Sequence, residues 1–174
     1  MSIDLLKDAI RDVPDFPKKG IIFKDITPIL ARPDLFRLAV DTLANRHINS
    51  RIDTVCVIEA RGFLFGSAVA FRLGAGIVPI RKKGKLPYET IEASYDLEYG
   101  QATLQVHVDA LKKGSRVLLI DDLLATGGTA AASAALIERL GGDLVEIQFL
   151  IELAFLKGRE KLTKHKVFAP IVFD

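Results

Sequence analysis

Short apolar runs that alternate with helical patterns constrain the fold of this 174-residue chain more than any other feature. The runs are rich in Val, Ile and Leu, which is typical of strands buried on both faces in a parallel sheet. Strand and helix in alternation imply right-handed crossovers, with helices on both faces of the sheet. We therefore predict an α/β fold with a mostly parallel central sheet flanked by helices. The predicted strands are Thr54–Ile58 and residues 77–80, 116–120 and 144–151, and the predicted helices are residues 63–73 and 129–140.

Proline and glycine punctuate the N-terminal part of the chain. A helix is predicted from residue 2 to about residue 11, ending before Pro14, which is a poor continuation of a helix. A short apolar stretch, residues 21–23, follows a loop. The next helix is predicted to begin at Pro33, because the fixed φ of proline suits a first helical turn.

One stretch departs from the alternation of strands and helices. Apolar and polar residues alternate over residues 90–95 and again over 103–106, which predicts an antiparallel hairpin. The basic run at residues 81–85 precedes it, and a loop at residues 96–100 connects its strands. Long excursions of this kind are frequently lids or binding loops, so we expect residues 82–106 to form a hairpin lid.

Composition excludes several classes of protein. With 24 Lys and Arg against 22 Asp and Glu, the formal charge of +2 is too balanced to indicate a nucleic-acid partner. The single cysteine excludes a disulfide framework and a cysteine-based zinc site, and it fits a reducing compartment. No targeting segment or membrane span is recognisable. We expect one domain, residues 1–174, in a cytoplasmic protein without a membrane partner.

The strongest chemical signal is a strand that ends in Asp121 and Asp122 and leads through a small-residue turn into a helix. In open α/β sheets, ligands bind beyond the carboxyl ends of the strands, where the next helix directs unpaired N–H groups at an anion. Gly127 and Gly128 permit a close approach of the backbone, and the Thr126 hydroxyl can donate to phosphate oxygens, as can that of Thr129. The pattern predicts a phosphate site; the alternative is a capped helix with no ligand.

Two acidic residues beside a phosphate site would repel the anion unless they bind another part of the ligand. Carboxylates accept hydrogen bonds from the vicinal hydroxyls of a ribose, each contributing about 1.5–3 kcal/mol. No lysine follows Gly128, as a Walker A loop requires, and residues 74–76 lack the third glycine of a dinucleotide-binding loop. The sequence therefore favours a phosphorylated sugar over a nucleoside triphosphate or a nicotinamide cofactor.

Residues 117–129 resemble the phosphoribosyl diphosphate (PRPP) motif of the type I phosphoribosyltransferases. Three further segments, residues 16–28, 59–63 and 95–100, resemble the members of that family that act on adenine. The resemblance extends from about Phe16 to Lys161, and the tail at 168–174 differs from the family pattern. It implies transfer of the phosphoribosyl group of PRPP to N9 of adenine, which yields AMP and pyrophosphate.

The resemblance also assigns roles in PRPP binding. It implies that the turn after the strand, Ala125, Thr126, Gly127, Gly128 and Thr129, cradles the 5′-phosphate. Asp121 and Asp122 would bind the ribose hydroxyls, and Mg²⁺ is expected on PRPP oxygens and water without a direct protein ligand. The pyrophosphate would meet a loop after an earlier strand and the basic run of the lid: Glu59, Ala60, Arg61, Arg81, Lys82 and Lys85.

The remaining implied roles concern the base. Residues 12–32 are expected to form a small N-terminal hood in which Ile22, Phe23 and Lys24 bind adenine, with Phe23 stacked on the ring. Arg61 would serve the pyrophosphate or the base edge. Glu98 in the lid would manage a proton at N7 of the purine, and Tyr99 would position the leaving pyrophosphate.

Each of these assignments has a plainer alternative. Arg61 could form a surface ion pair with Glu59, the basic run could be a solvated loop, Glu98 a turn acid and Phe23 a core residue. The three histidines have no metal-ligand spacing and receive no role. The resemblance further implies a homodimer. Two alternative functions stay open: a transferase for hypoxanthine, guanine or xanthine, and a PRPP-sensing regulator, for which a DNA-binding extension would be expected.

Overall fold

The computed structural model describes residues 2–96 and 100–174. Glu98 and Tyr99 therefore lie outside the described residues. The elements, in chain order, are α1 (Asp4–Ala9), β1 (Arg11–Pro14), β2 (Ile22–Asp25), α2 (Thr27–Ala31), α3 (Pro33–Ala44), β3 (Thr54–Ile58), α4 (Gly62–Leu73), β4 (Gly76–Lys82), β5 (Thr90–Asp96), β6 (Gln101–His107), β7 (Arg116–Ile120), β8 (Leu123–Leu124), α5 (Gly128–Arg139), β9 (Asp143–Gln148), β10 (Ile151–Leu153), β11 (Val167–Phe168) and β12 (Ile171–Phe173). Two 3₁₀ turns, Ala154–Leu156 and Gly158–Leu162, lie between β10 and β11.

Seven of the described strands form one sheet in the order β11-β9-β7-β3-β4-β6-β5. The five strands from β11 to β4 are parallel, and β6 and β5 continue the sheet as an antiparallel hairpin. This confirms the predicted α/β fold with a mostly parallel centre and a hairpin extension.

Helices cover both faces of this sheet because its central strands are apolar on both sides. Val55, Val57 and Leu118 point to one face and pack with α3 and α4, whereas Cys56 and Leu119 point to the other and pack with α5. Each fully buried aliphatic side chain contributes about 1.5–3 kcal/mol, so the sheet is a firm platform for the loops at its ends. Within the described residues no helix is long and apolar enough to cross a membrane.

The connections reverse direction between β3 and β7. The chain passes from β3 through α4 to β4 on one side, and from β7 through α5 to β9 on the other. The two strands are direct parallel neighbours, with Val57 opposite Ile120. A crevice forms at such a switch point, because the helices that follow the two strands, α4 and α5, pack on opposite faces of the sheet.

A second, smaller sheet lies beside this crevice. It contains β8, β10 and β12, all parallel. The predicted strand at 144–151 is wrong as a single element: the carbonyl of Asp122 accepts the N–H groups of Leu150 and Ile151, and this separates β9 from β10. The first helix is also shorter than predicted, because Ile10 is extended and Arg11 already pairs with β2.

A buried carboxylate joins the end of α3 to β9. Glu146 accepts two hydrogen bonds from Arg46, at 2.6 and 2.8 Å, and lies 3.0 Å from Nε2 of His47. Gln148 also donates to it, and the Gln148 carbonyl accepts the N–H of Asp121. Burial raises the pKa of Glu146, but the hydrogen bonds from Arg46, Gln148 and His47 outweigh burial and bring the pKa to about 2.

Glu146 makes stability sensitive to acid. Its folded pKa is depressed from the ordinary 4.5 to about 2, so its contribution is full above about pH 4.5 and is lost as the pH falls toward 2. The shift corresponds to about 3 kcal/mol. We expect denaturant unfolding between pH 6 and 2 to show a larger loss for the wild type than for Glu146→Gln. Glu138→Gln, on an exposed helix position, should follow the wild type, and parallel curves for all three would contradict this role.

Candidate functional site

The loops that follow β3 and β7 touch each other in the crevice. A Cβ on Gly62 would lie 2.8 Å from the carbonyl oxygen of Ile120 and 3.0 Å from Oδ1 of Asp121, so only glycine allows this approach. Arg61, the residue before it, directs Nε to within 3.0 Å of Oδ2 of Asp122. The peptide bond between Glu59 and Ala60 is cis. The sequence-predicted pyrophosphate loop and the acidic pair therefore share one site.

The two carboxylates of this site are held in unlike environments. Burial raises the pKa of Asp121 well above its ordinary value, and the charge of Asp122 raises it further. Burial also raises the pKa of Asp122, although the positive charge of Arg61 opposes that shift. Asp122 is only 3% exposed, yet its Oδ2 has no aligned hydrogen-bond donor in the described part of the chain. Arg61 Nε lies 3.0 Å from this oxygen and compensates its charge, so what a ligand hydroxyl would add is an aligned hydrogen bond.

The hydrogen bonding of the Arg61 side chain is also incomplete. Its Nη1 is buried and has no hydrogen-bond partner among the described residues. Its guanidinium lies 5.0 Å from the centroid of the Phe23 ring, which in turn packs edge-on against Phe16. The predicted alternative, an ion pair between Arg61 and Glu59, does not form, because Arg61 pairs with Asp122. Arg61 therefore stands between the acidic pair and the hood.

The turn between β8 and α5 encloses a space of about 70 Å³. It is lined by Ala125, Thr126, Gly127 and Thr129, and Asp121 lies at its edge. Gly127 has φ +77°, a left-handed conformation that favours glycine, and it begins the helix. The space suits one compact group, and the unpaired N–H groups and dipole of α5 favour an anion there.

The 3₁₀ turn that begins at Gly158 packs against the main chain of residues 125–127 and is the proposed floor of this turn. A Cβ on Gly158 would collide with the carbonyl oxygen of Ala125, and one on Gly127 would collide with the carbonyl oxygen of Gly158. Arg159 holds the segment in place through a two-pronged ion pair with the buried Glu152. Sequence reasoning missed Gly158, because it lies about 30 residues beyond the turn in the chain.

The contact predicts that Gly158→Ala impairs anion binding. The added Cβ meets main-chain atoms, which cannot rotate away, so the turn must shift and lose about one charged hydrogen bond to a phosphate. We expect the affinity for a phosphorylated sugar to fall about tenfold, as measured by titration calorimetry. Gly76→Ala, whose Cβ would make an ordinary contact at 3.6 Å, is the control. Equal affinity in both variants would contradict the proposed floor.

A tyrosine closes the other side of the same turn. The Tyr95 ring lies over Gly128, where an added Cβ would be 2.9 Å from Cδ2. The Thr129 hydroxyl donates to the Tyr95 hydroxyl at 3.0 Å. The sequence predicts Tyr95 as a strand residue of the hairpin and as the first residue of a segment that resembles the family. Neither prediction indicates this contact.

The basic run predicted to bind pyrophosphate is partly engaged by acidic residues. Arg81 donates two hydrogen bonds to Glu59, whose carboxylate also accepts the N–H of Lys82. The hydrogen bonds from Arg81 hold the pKa of Glu59 below its ordinary value, against the effect of burial. No ion pair in the described part of the chain engages the side chain of Lys82 or of Lys85. The structure thus places Arg81 beside the loop after β3, where the charge of Lys85 also acts on Glu59.

An apolar cleft of about 390 Å³ lies between the hood and the small sheet. Ile22 and Lys24 line it from β2, and Leu153 and Phe173 line it from β10 and β12. The Lys24 ammonium lies 3.9 Å from the centroid of the Phe173 ring. Phe23 is on the other face of β2, as strand alternation requires. The predicted base-binding residues are therefore split between this cleft and the space next to Arg61.

Comparison with known proteins identifies relatives of the whole chain. Residues 28–171 match the family model described as phosphoribosyl transferase domain. An adenine phosphoribosyltransferase of Geotalea daltonii is 56% identical over 168 residues, which are 97% of this chain and 98% of that protein.

Solved structures agree in fold. The adenine phosphoribosyltransferase of Thermoanaerobacter pseudethanolicus has a TM-score of 0.95 at 50% identity, covering 99% of this chain and all of that one. That of Saccharomyces cerevisiae, in complex with adenine and an imino-altritol bisphosphate, has a TM-score of 0.91 at 43% identity, covering 96% and 97%.

Proposed function

The chain belongs to the phosphoribosyl transferase family, and within it to the adenine phosphoribosyltransferases, and we propose how its residues carry out their reaction. The enzyme transfers the 5-phosphoribosyl group of PRPP to N9 of adenine and releases pyrophosphate, forming AMP for purine salvage. The observation that carries the residue assignment is the convergence, at one switch point, of an anion-sized turn, two carboxylates and an incompletely paired arginine.

The reaction separates charge, and the site offers charge of both signs. The departing pyrophosphate gains negative charge while the ribose ring becomes oxocarbenium-like, so fixed groups of opposite sign stabilise the transition state. Residues 125–129 hold the 5′-phosphate in this proposal. Asp121 and Asp122 accept hydrogen bonds from the ribose hydroxyls, Asp122 through Oδ2, which lies beside the positive charge of Arg61 but has no aligned donor among the described residues. The β3 loop faces the pyrophosphate through Glu59, Ala60 and Arg61.

The base enters beside the hood. Main-chain groups of Ile22 and Lys24 can distinguish the amino group of adenine from a carbonyl, and the apolar cleft with Leu153 can take a purine ring. Stacking on Phe23, worth about 1–3 kcal/mol, would require the base to displace the Arg61 guanidinium from that ring. Arg61 can then reach either the base edge or the pyrophosphate.

The hairpin supplies the remaining groups in this proposal. Arg81, Lys82 and Lys85 attract the pyrophosphate, with Arg81 oriented by Glu59. Glu98 manages the proton at N7 of adenine, and Tyr99 positions the leaving group. Exclusion of water protects the activated sugar carbon from hydrolysis. We propose that residues 12–32 form the hood and that residues 82–106 form the lid.

Magnesium is the cofactor that we infer. The donor chemistry of the site fits such an ion, because Mg²⁺ prefers oxygen ligands and keeps several waters, and the carboxylates of Asp121 and Asp122 would lie beside the oxygens of PRPP. The described residues contain no cluster of three metal-ligating side chains, so substrate oxygens and water would supply most ligands. When bound, Mg²⁺ neutralises negative charge on the pyrophosphate.

We also infer a homodimer in the cytoplasm. Phe71 on α4 is 90% exposed, and Leu64 on the same helix is also exposed. Large exposed apolar side chains frequently mark protein contacts, and a second copy is the partner that the family resemblance implies. The sole cysteine is buried and unpaired, which fits a reducing compartment.

The function is tested by incubation with PRPP, Mg²⁺ and one purine base at a time, followed by chromatography of the nucleotides and a pyrophosphate assay. AMP formed from adenine alone is the expected result. Preferential turnover of hypoxanthine, guanine or xanthine would replace the proposed substrate with another purine. PRPP binding without turnover of any base would favour the regulatory alternative.

A further inference from the structure

Tyr95 is held against the anion-binding turn by two independent contacts. Its ring covers Gly128 at the start of α5, and its hydroxyl accepts a hydrogen bond from the Thr129 hydroxyl at 3.0 Å. Thr129 lines the 70 Å³ space, whereas Tyr95 does not. Tyr95 can therefore affect a bound anion only through its neighbours in the turn.

The hydrogen bond determines where the Thr129 hydroxyl lies. A threonine side chain has staggered χ1 rotamers that point its hydroxyl in different directions. The bond to Tyr95 selects one of them. The Tyr95 hydroxyl has no acceptor for its own proton in the described residues, so it can rotate and donate to Thr129 instead. That exchange frees the Thr129 proton for a phosphate oxygen without movement of either side chain.

We propose that Tyr95 is a positioning residue for the 5′-phosphate of the substrate. It fixes the Thr129 rotamer and takes over as hydrogen-bond donor when Thr129 turns its proton to the phosphate. This inference rests on the proposed function, because it presumes that a phosphorylated ribose occupies the turn. It adds a tyrosine from the hairpin to a phosphate site otherwise formed by residues 125–129.

Tyr95→Phe isolates the hydroxyl, because the phenyl ring still covers Gly128 and the fold is retained. We expect the KM for PRPP and the inhibition constant of ribose 5-phosphate to rise together, by about three- to tenfold, the effect of one lost hydrogen bond. The KM for adenine and inhibition by pyrophosphate should stay unchanged, because neither ligand carries the 5′-phosphate. Thr42→Val also removes one hydroxyl, from α3 and outside the lid and the turn, where it donates to the carbonyl of Leu38, and it should match the wild type.

A double-mutant cycle tests the route through Thr129. In a Thr129→Val background, Tyr95→Phe should cause no further change in the inhibition constant of ribose 5-phosphate, because the partner hydroxyl is already absent. Wild-type constants in Tyr95→Phe, an equal loss of adenine affinity, or a full effect in the Val background would each overturn the proposal. Failure of the proposed function would look different: the wild type itself would form no AMP.

Discussion

Arg61→Gln should lower kcat/KM by about 10²- to 10³-fold, the usual cost of removing one positioned donor from a site where charge develops. The arginine is the group that connects the acidic pair with the hood: its Nε lies 3.0 Å from Asp122 and its guanidinium faces Phe23. Its removal also leaves the carboxylate of Asp122 buried without a cation. Steady-state kinetics with PRPP and adenine measure the loss. Arg61→Lys should recover part of it, because lysine restores the positive charge but not the planar guanidinium with its paired N–H donors.

The pH dependence of the same variant gives a second, independent readout. Arg61 opposes the burial that raises the pKa of Asp122, so without Arg61 that pKa moves further up. The acidic limb of the kcat/KM profile should therefore shift to higher pH. Arg72→Gln is the matched control, because Arg72 lies near the far end of α4, the helix that Arg61 precedes, in an exposed pair with Asp41. A wild-type rate in Arg61→Gln, or equal losses in both variants, would contradict the central role of Arg61.

Glu98→Gln should lower kcat by about 10²- to 10⁴-fold, the range for loss of a general acid or base. The substitution keeps the size of the side chain and removes only its ability to hold or release a proton. The substitution leaves unchanged the residues that are proposed to bind the 5′-phosphate and the ribose. The dissociation constant of PRPP measured without adenine should therefore change little. The comparison of kcat with that constant separates a proton-transfer role from a binding role.

The control for Glu98 lies in the same hairpin. Glu92 on β5 pairs with Lys83 and accepts a hydrogen bond from Gln105. It precedes Glu98 by six residues in the sequence and has no role in the proposed proton transfer. Glu92→Gln should retain wild-type kcat. If Glu98→Gln abolished PRPP binding and left the turnover of bound substrate unchanged, the proton-transfer role would be wrong.

The sequence predicted those parts of the structure that depend on local patterns. The central strands are apolar on both faces, and this alone indicates a parallel sheet. The acidic pair and the small-residue turn predict a phosphate and ribose site, because the residues on which that prediction rests are thirteen consecutive positions. Pairing of β3 with β7 then brings Arg61 to Asp122, as expected for loops at one edge of a sheet.

The parts that the sequence did not predict depend on contacts between distant segments. Gly158 supports the turn from far along the chain, and Tyr95 reaches it from the hairpin. Strand β8 has two residues, too few for any periodic signal, so the small sheet and the break after Gln148 were missed. The position of Leu153 in the apolar cleft follows from that sheet and was missed with it.

The apolar cleft between the hood and the small sheet is built from opposite ends of the chain, with Lys24 over Phe173. Terminal segments of a chain open locally more easily than its buried centre. The turn before α5, by contrast, follows the buried central strand β7. We therefore expect partial unfolding to separate the two substrates: under mild denaturant the chain should lose adenine before it loses the phosphorylated sugar.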